Sequence, residues 1–283
     1  MTLRVHHLDC GTLRTPVGTM VCHVLLLEVE ERLVLVDTGF GLDDVRTPSR
    51  LGPVRHVLFP DLDPARTAVG RIRALGRDPS EVSDVVLTHG DLDHAGGIPD
   101  LAHARIHLLA AEADAIEQRR GLRAHQRYRP AHWGHDPRVI AHPPRPLTWK
   151  GVPGTVPLDD VAPGLLMVPL PGHTQGHAGI AVPQEQGWLL HIGDAALDAR
   201  TLRTGRVRLD VQLRQVLIAQ HPRAMRRTQR LLTALVRDPE LQIVNSHDLA
   251  LFQEAVAHSP GRGQGGSERQ GRGEGQGRDT YSG

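Results

Sequence analysis

The stretch THGDLDHAGG, residues 88–97, follows directly on the apolar run Val85, Val86 and Leu87 and sets His89, Asp91, Asp93 and His94 within six positions. Imidazole and carboxylate groups at this density, at the mouth of a buried strand, form a candidate metal cradle. In an extended segment residues 89, 91 and 93 project to the same side, and His94 turns to the other at the start of a helix. A helix-compatible, glycine-bearing segment follows, so a strand-to-helix turn can aim alternate side chains at one ion.

Working outward, residues 21–41 read as a hairpin of two apolar strands that ends in Asp37, Thr38 and Gly39. Residues 64–76 open with proline and close with glycine, the signature of a helix. Strands are expected over 84–88 and 104–109, with a helix over 110–120. The proline- and histidine-rich segment between Gly121 and Gly164 reads as a long irregular loop, of the kind that covers or forms binding sites. Beyond it come three strands, in GLLMVP, AGIAV and GWLLHIGD, then helices over 211–219 and 223–237. A last strand, LQIV, runs into NSHD, and a terminal helix covers 249–257. Strands followed by helices in two similar halves suit a layered α/β sandwich.

The chain has 283 residues, 39% of them hydrophobic, which supports one large core over residues 1–258. Residues 259–283 hold nine glycines and almost no apolar side chains, so a disordered Gly/Arg-rich tail is expected. Cys10 and Cys22 have no metal-ribbon or disulfide-framework spacing. No apolar stretch reaches the length of a membrane span, and the first ten residues lack the pattern of a signal peptide, so a soluble, cytoplasmic protein is expected. Residues 119–145 carry seven arginines and one acid, and residues 200–237 ten arginines and one acid. In a chain whose single lysine is Lys150 this reads first as ordinary surface charge and second as a basic face. Nothing in the pattern specifies an oligomeric state.

Three further candidate ligands stand at expected strand ends: His173 in PGHTQGH, Asp194 in HIGDAA and His247 in NSHD. Loops at one edge of a sheet converge, so these residues can meet the 88–97 segment in one pocket. The ordered set resembles the metallo-β-lactamase-fold superfamily, whose members carry HxHxDH followed by a histidine, an aspartate and a final histidine. The likeness extends to LVDTG before the motif and the glycine pair after it. It implies a four-layer αββα sandwich and a centre of two divalent ions, zinc first. It further implies that His89, Asp91 and His173 hold one ion, that Asp93, His94 and His247 hold the other, and that Asp194 bridges them. Asp93 and Asp194 are then the catalytic carboxylates, Asp37 orients a ligand, and His177 is a supporting histidine.

Asp91 departs from the family pattern, which has histidine there. Two divalent ions, the carboxylates Asp91, Asp93 and Asp194 and one hydroxide sum to zero charge, where a histidine at 91 would leave the centre positive. A hard oxygen ligand shifts preference toward manganese or iron. An alternative turns Asp91 away and leaves a single ion.

The resemblance implies a hydrolase in which a metal-bound hydroxide attacks the carbonyl of an ester, lactone, thioester or amide, lactone and ester first, on a small-molecule substrate. Tyr128 and the loop histidines His125, His132 and His135 are candidates to reach that substrate. A phosphodiesterase acting on nucleic acid is the second reading, drawn from the arginine-rich stretches and opposed by an aromatic content of 3%. Iron-based redox chemistry is the third.

Overall fold

The computed structural model describes residues 3–16, 18–204 and 209–258. The expected tail, 259–283, lies outside the described residues. Seven strands, β1 (Arg4–Thr15), β2 (Gly18–Val29), β3 (Arg32–Val36), β4 (Pro60–Asp61), β5 (Val82–Val86), β6 (Arg105–Leu109) and β7 (Arg138–His142), form one sheet in the order β4-β1-β2-β3-β5-β6-β7. A short ribbon follows, made of β8 (Arg145–Trp149) and β9 (Val152–Gly154). The second sheet, in sequence order, holds β10 (Val156–Pro157), β11 (Leu166–Pro169), β12 (Ala178–Pro183), β13 (Trp188–His191) and β14 (Leu241–Val244). The helices are α1 (Leu42–Arg46), α2 (Arg55–Leu58), α3 (Ala68–Ala74), α4 (Leu92–Ala95), α5 (Ala110–Gln118), α6 (Gly121–Arg127), α7 (Pro130–Trp133), α8 (Ala199–Thr204), α9 (Leu209–Ile218), α10 (Pro222–Leu235) and α11 (Leu249–His258).

The two-residue period of the strands builds the layers, because successive side chains face opposite sides. Leu33, Leu35 and Val85 turn outward and pack with Val69 and Ile72 of α3 and Ile116 of α5. Their neighbours Val34, Val36 and Val86 turn inward and meet Met167, Ile180 and Val182 of the second sheet. On the far side of that sheet Val168, Leu190 and Ile243 pack against Leu232 and Leu235 of α10 and Leu251 of α11. Helix, sheet, sheet and helix thus stack as the four-layer αββα sandwich. Strands buried on both faces explain why their sequences read as continuous apolar runs.

Strand direction fixes where function can sit. β3, β5, β6 and β7 pair in parallel, as do β13 and β14. β11 is antiparallel to β12 and β12 to β13, so β11 runs with β13. The C-terminal ends of β5, β11, β13 and β14 lead into the loops that carry the candidate donors, and that of β3 leads into Asp37 beside them.

Two expectations change. The segment after Gly121 is regular structure, not a long loop: it supplies α6 and α7, then β7 as an edge strand paired in parallel with β6. Its prolines fall where they interrupt little, as at the first turn of α7. The N-terminal strand β1, absent from the sequence reading, pairs along β2 with a break in register between Asp9 and Thr12. Its mixed burial, broken by that irregularity, blurs the period-two signal.

One buried carboxylate ties the central strands together. Asp84 of β5 accepts hydrogen bonds from Arg105 Nε at 2.7 Å and, through its other oxygen, from Arg32 Nη1 at 3.1 Å and Ser83 Oγ at 2.7 Å. His107 Nε2 lies 2.9 Å from the same carboxylate. Burial alone would raise its pKa, but the bonds from His107, Arg105 and Ser83 outweigh this and hold it well below the ordinary aspartate range. The stability it contributes is therefore complete above the ordinary value and lost as pH falls toward the lowered one. Asp84→Asn is expected to cost about 2 kcal/mol, less than for a fully buried pair because both guanidiniums are partly exposed. Urea unfolding at neutral and acid pH checks this: the gap between wild type and variant should narrow in acid, and an unchanged gap would contradict the assignment.

Candidate metal centre

His89, Asp91, Asp93, His94, His173, Asp194 and His247 converge at the strand ends. Their donor atoms fall into three groups, His89/Asp91/His173, His89/His94/Asp194 and Asp93/His94/His247, each with its atoms within 4.8 Å of one another. Asp194 lies between the first and last of these. Its Oδ1 is 3.1 Å from His247 Nε2 and 3.4 Å from His94 Nε2, and its Oδ2 is 3.5 Å from His173 Nε2. The local backbone differs from simple alternation. Asp91 is the extended N-cap residue of α4, so Asp93 and His94 project from the first turn of a helix.

The imidazoles are aimed by partners on their far nitrogens. Asp37, just past β3, places Oδ2 2.9 Å from His94 Nδ1, while its Oδ1 accepts from Thr88 N at 2.7 Å. Thr88 Oγ1 donates to Asp37 and lies 2.9 Å from His89 Nδ1. His247 Nδ1 lies 2.9 Å from the Val21 carbonyl. Tautomers with the proton on Nδ1 leave the three Nε2 atoms facing inward. Asp37 holds this position with φ at 61°. This left-handed conformation is uncommon for a residue with a side chain and here sits beside a candidate site.

The inner atoms fit a divalent cation. His89 Nε2, His94 Nε2 and Asp194 Oδ1 are buried and, among the described residues, form no hydrogen bond. Orphaned buried polar atoms are costly, and a set of them pointing at one another is relieved by a shared cation. Electrostatics agree. Burial would lower the pKa of His94, but Asp194 and Asp37 raise it well above the ordinary histidine value. His247 is raised in the same sense by Asp194. His173 goes the other way, pushed down to about 4 by burial and by Arg127.

His177 is a supporting residue, with Nε2 accepting from Asp194 N at 3.0 Å. This approach requires glycine at 193, where φ is +50° and a Cβ would come within 2.6 Å of that nitrogen. Tyr128 is fully buried in the core beneath the helices, with its hydroxyl 3.4 Å from Gln220 Nε2, and packs instead of reaching the cleft. His125 lies 3.0 Å from the Gly121 carbonyl, and His132 binds Asp44 at 2.9 Å. Neither they nor His135 line the cleft beside the cluster.

That cleft has a volume of about 310 Å³. Leu13, Met20, Leu58 and Leu197 supply apolar wall, and Asp91, Asp93, His173, Asp194 and His247 form its polar end.

Two site residues carried no mark in the sequence. Glu112 of α5 is fully buried and accepts from Gly90 N at 3.0 Å, Thr174 Oγ1 at 2.7 Å and Gly176 N at 3.2 Å, joining the motif loop to the His173 loop. Arg127 of α6 reaches Asp91 at 2.8 Å, adding a positive charge that the sequence tally of the centre omitted. Each looks like an ordinary polar residue of an amphipathic helix.

An αββα sandwich with clustered histidines and carboxylates at its strand ends defines a class of metal-dependent proteins. The sequence profile of the Metallo-beta-lactamase superfamily matches residues 17–247, and the chain belongs to that superfamily. A Mycobacterium tuberculosis protein named "Probable metallo-hydrolase" is 43% identical over 257 residues, covering 89% of this chain and 83% of its own. An N-acyl homoserine lactonase of Bacillus thuringiensis subsp. kurstaki is 25% identical over 163 residues, 57% of this chain and 58% of its own. A solved N-acyl homoserine lactone hydrolase with product at its catalytic metal centre has a TM-score of 0.68 at 18% identity. That alignment covers 90% of this chain and 97% of the other.

Replacing Glu112 by glutamine leaves the shape and removes the charge that receives these donors. We expect a loss of about 1.5–3 kcal/mol. Hydrogen exchange should quicken at Gly90 and Gly176 together, and exchange that stays slow at both would remove the tie.

Proposed function

We propose that this protein is a metal-dependent hydrolase of small carbonyl substrates, with lactones and esters first among them. The observation that carries the reading is the Asp194 carboxylate standing between two groups of inward-facing donors at the base of an apolar-walled cleft. In this reading His89, Asp91 and His173 surround one cation position, Asp93, His94 and His247 the other, and Asp194 serves both. Divalent ions at such positions activate water at neutral pH and polarise the attacked carbonyl.

The chain's own residues do the rest. Asp37, Thr88 and the Val21 carbonyl hold the imidazoles in the ligating tautomer. Leu13, Met20 and Leu58 give the cleft an apolar wall that suits an acyl or alkyl group. The half-buried Arg214, also on the cleft wall, offers a cation to an oxygen of the substrate. Zinc is the expected ion, and Asp91 extends the range toward manganese and iron. The lactonase relatives support the lactone preference. Among the described residues no helix is long and apolar enough to cross a membrane. With two buried free cysteines, Cys10 and Cys22, we place the protein in the reducing cytoplasm.

A panel of lactones, p-nitrophenyl esters, thioesters and bis-p-nitrophenyl phosphate, with zinc-, manganese- and iron-loaded protein, tests the substrate class. Cleavage of the phosphodiester alone would replace the carbonyl reading, and oxygen uptake without hydrolysis would replace both. Asp194→Ala should lower lactone or ester turnover by roughly 10²–10³-fold, as removal of a group central to charge stabilisation does. Asp37→Ala should weaken ion binding about 10–100-fold, read by competition with a chromophoric chelator.

A further inference from the structure

The guanidinium of Arg127 lies among the donors of the His89 group. Its Nη1 is 3.0 and 2.8 Å from the two oxygens of Asp91 and 2.9 Å from His173 Nε2. The second nitrogen, Nη2, donates to the Ile218 carbonyl at 2.6 Å, fixing the fork from behind. The side chain is 13% exposed, so this is a built contact and not a surface pairing.

An unprotonated imidazole nitrogen has one lone pair. Unprotonated, His173 Nε2 accepts from Arg127, and protonated it donates to Asp91 Oδ2 at 3.0 Å; in neither state can it ligate an ion at the same time. Zinc ligated by that nitrogen stands about 2.0–2.1 Å from it. It would then crowd the place of Nη1, and the two positive charges would repel. The other donor group carries no such occupant. His94 Nε2 forms no hydrogen bond, and no arginine bond to Asp93 is found among the described residues.

We propose that Arg127 and a divalent ion are alternative occupants of the position among His89, Asp91 and His173, and that Arg127 is the standing one. The chain then holds one ion tightly, at Asp93, His94 and His247 with Asp194, and a fixed organic cation in the adjoining place. This rests on the metal-centre reading above. It gives Asp91 a physical reason, since both carboxylate oxygens accept charge-assisted hydrogen bonds from Arg127 Nη1 and a neutral imidazole could offer it only one lone pair. It also gives Arg127 a role on substrate. Arg127 lines the cleft, so its fixed positive charge stands beside a bound carbonyl and can steady the charge that develops there.

Zinc titration of the metal-free protein, followed by calorimetry and by elemental analysis after gel filtration, tests the proposal. Wild type should retain one zinc, with a second binding more weakly by about 10–100-fold, the cost of giving up charge-assisted hydrogen bonds. Arg127→Met should retain two. Arg127→Lys, which keeps the charge and loses the fork, should fall between them. Two zinc ions bound equally tightly by wild type would overturn the inference and leave the hydrolase reading standing, and this measurement does not depend on any variant folding. Equal stoichiometry in wild type and a folded Arg127→Met would overturn it as well. Failure of wild type to retain zinc, manganese or iron would remove the metal-centre reading and this inference with it.

Discussion

The site depends on one buried carboxylate that is not itself among the inward-facing donors. Asp37 receives the Thr88 amide and hydroxyl with one end and faces His94 Nδ1 with the other. It therefore fixes, in a single contact, how β5 leaves the sheet and how the first turn of α4 presents its histidine. Thr38 repeats the tie one residue on, donating from both its amide and its hydroxyl to the His94 carbonyl. A carboxylate in this setting, buried and charged, is tolerated only because both of its oxygens have fixed donors. The left-handed backbone at Asp37 is the local cost of the arrangement.

Around that anchor the centre balances charge in two different ways. Near Asp93, His94 and His247 the carboxylates raise the histidine pKa values, so this half attracts a cation. Near Asp91 and His173 a guanidinium is already seated, and the histidine is held neutral. The two halves share Asp194 and differ in kind. A tally of ligand types alone treats them as equivalent, because it counts acids and bases without knowing which distant arginine returns to meet them.

Much of this was legible in the sequence because strand ends are. Val85–Leu87, LMVP, WLLH and LQIV are apolar runs that stop abruptly at polar residues, and each delivers one part of the donor set. The layer order follows from the same runs, whose neighbours alternate between two cores. What stayed hidden has a common cause. Arg127 and Glu112 act through single long side chains that leave short helices, and nothing in their neighbours' periodicity distinguishes them from solvated residues. The proline-rich segment read as irregular because β7 is an edge strand with exposed residues, lacking the apolar signature of the interior strands. Tyr128 was conspicuous as a polar aromatic, yet its size made it core material.

The apolar run Val85–Leu87, which carries β5 to the rim of the sheet, has a well-connected polar group on either side. Asp84 knits strands β3, β5 and β6 before it, and Thr88 and His89 enter the site just past it. The stretch between them is wholly apolar and buried, so no polar side chain links the two networks along the strand. Cohesion of the sheet and reactivity at its rim are in this way insulated from one another. The cleft wall, built from α6, α9 and the segment around α2, can diversify toward new substrates while the strand that supplies the ligands keeps its footing.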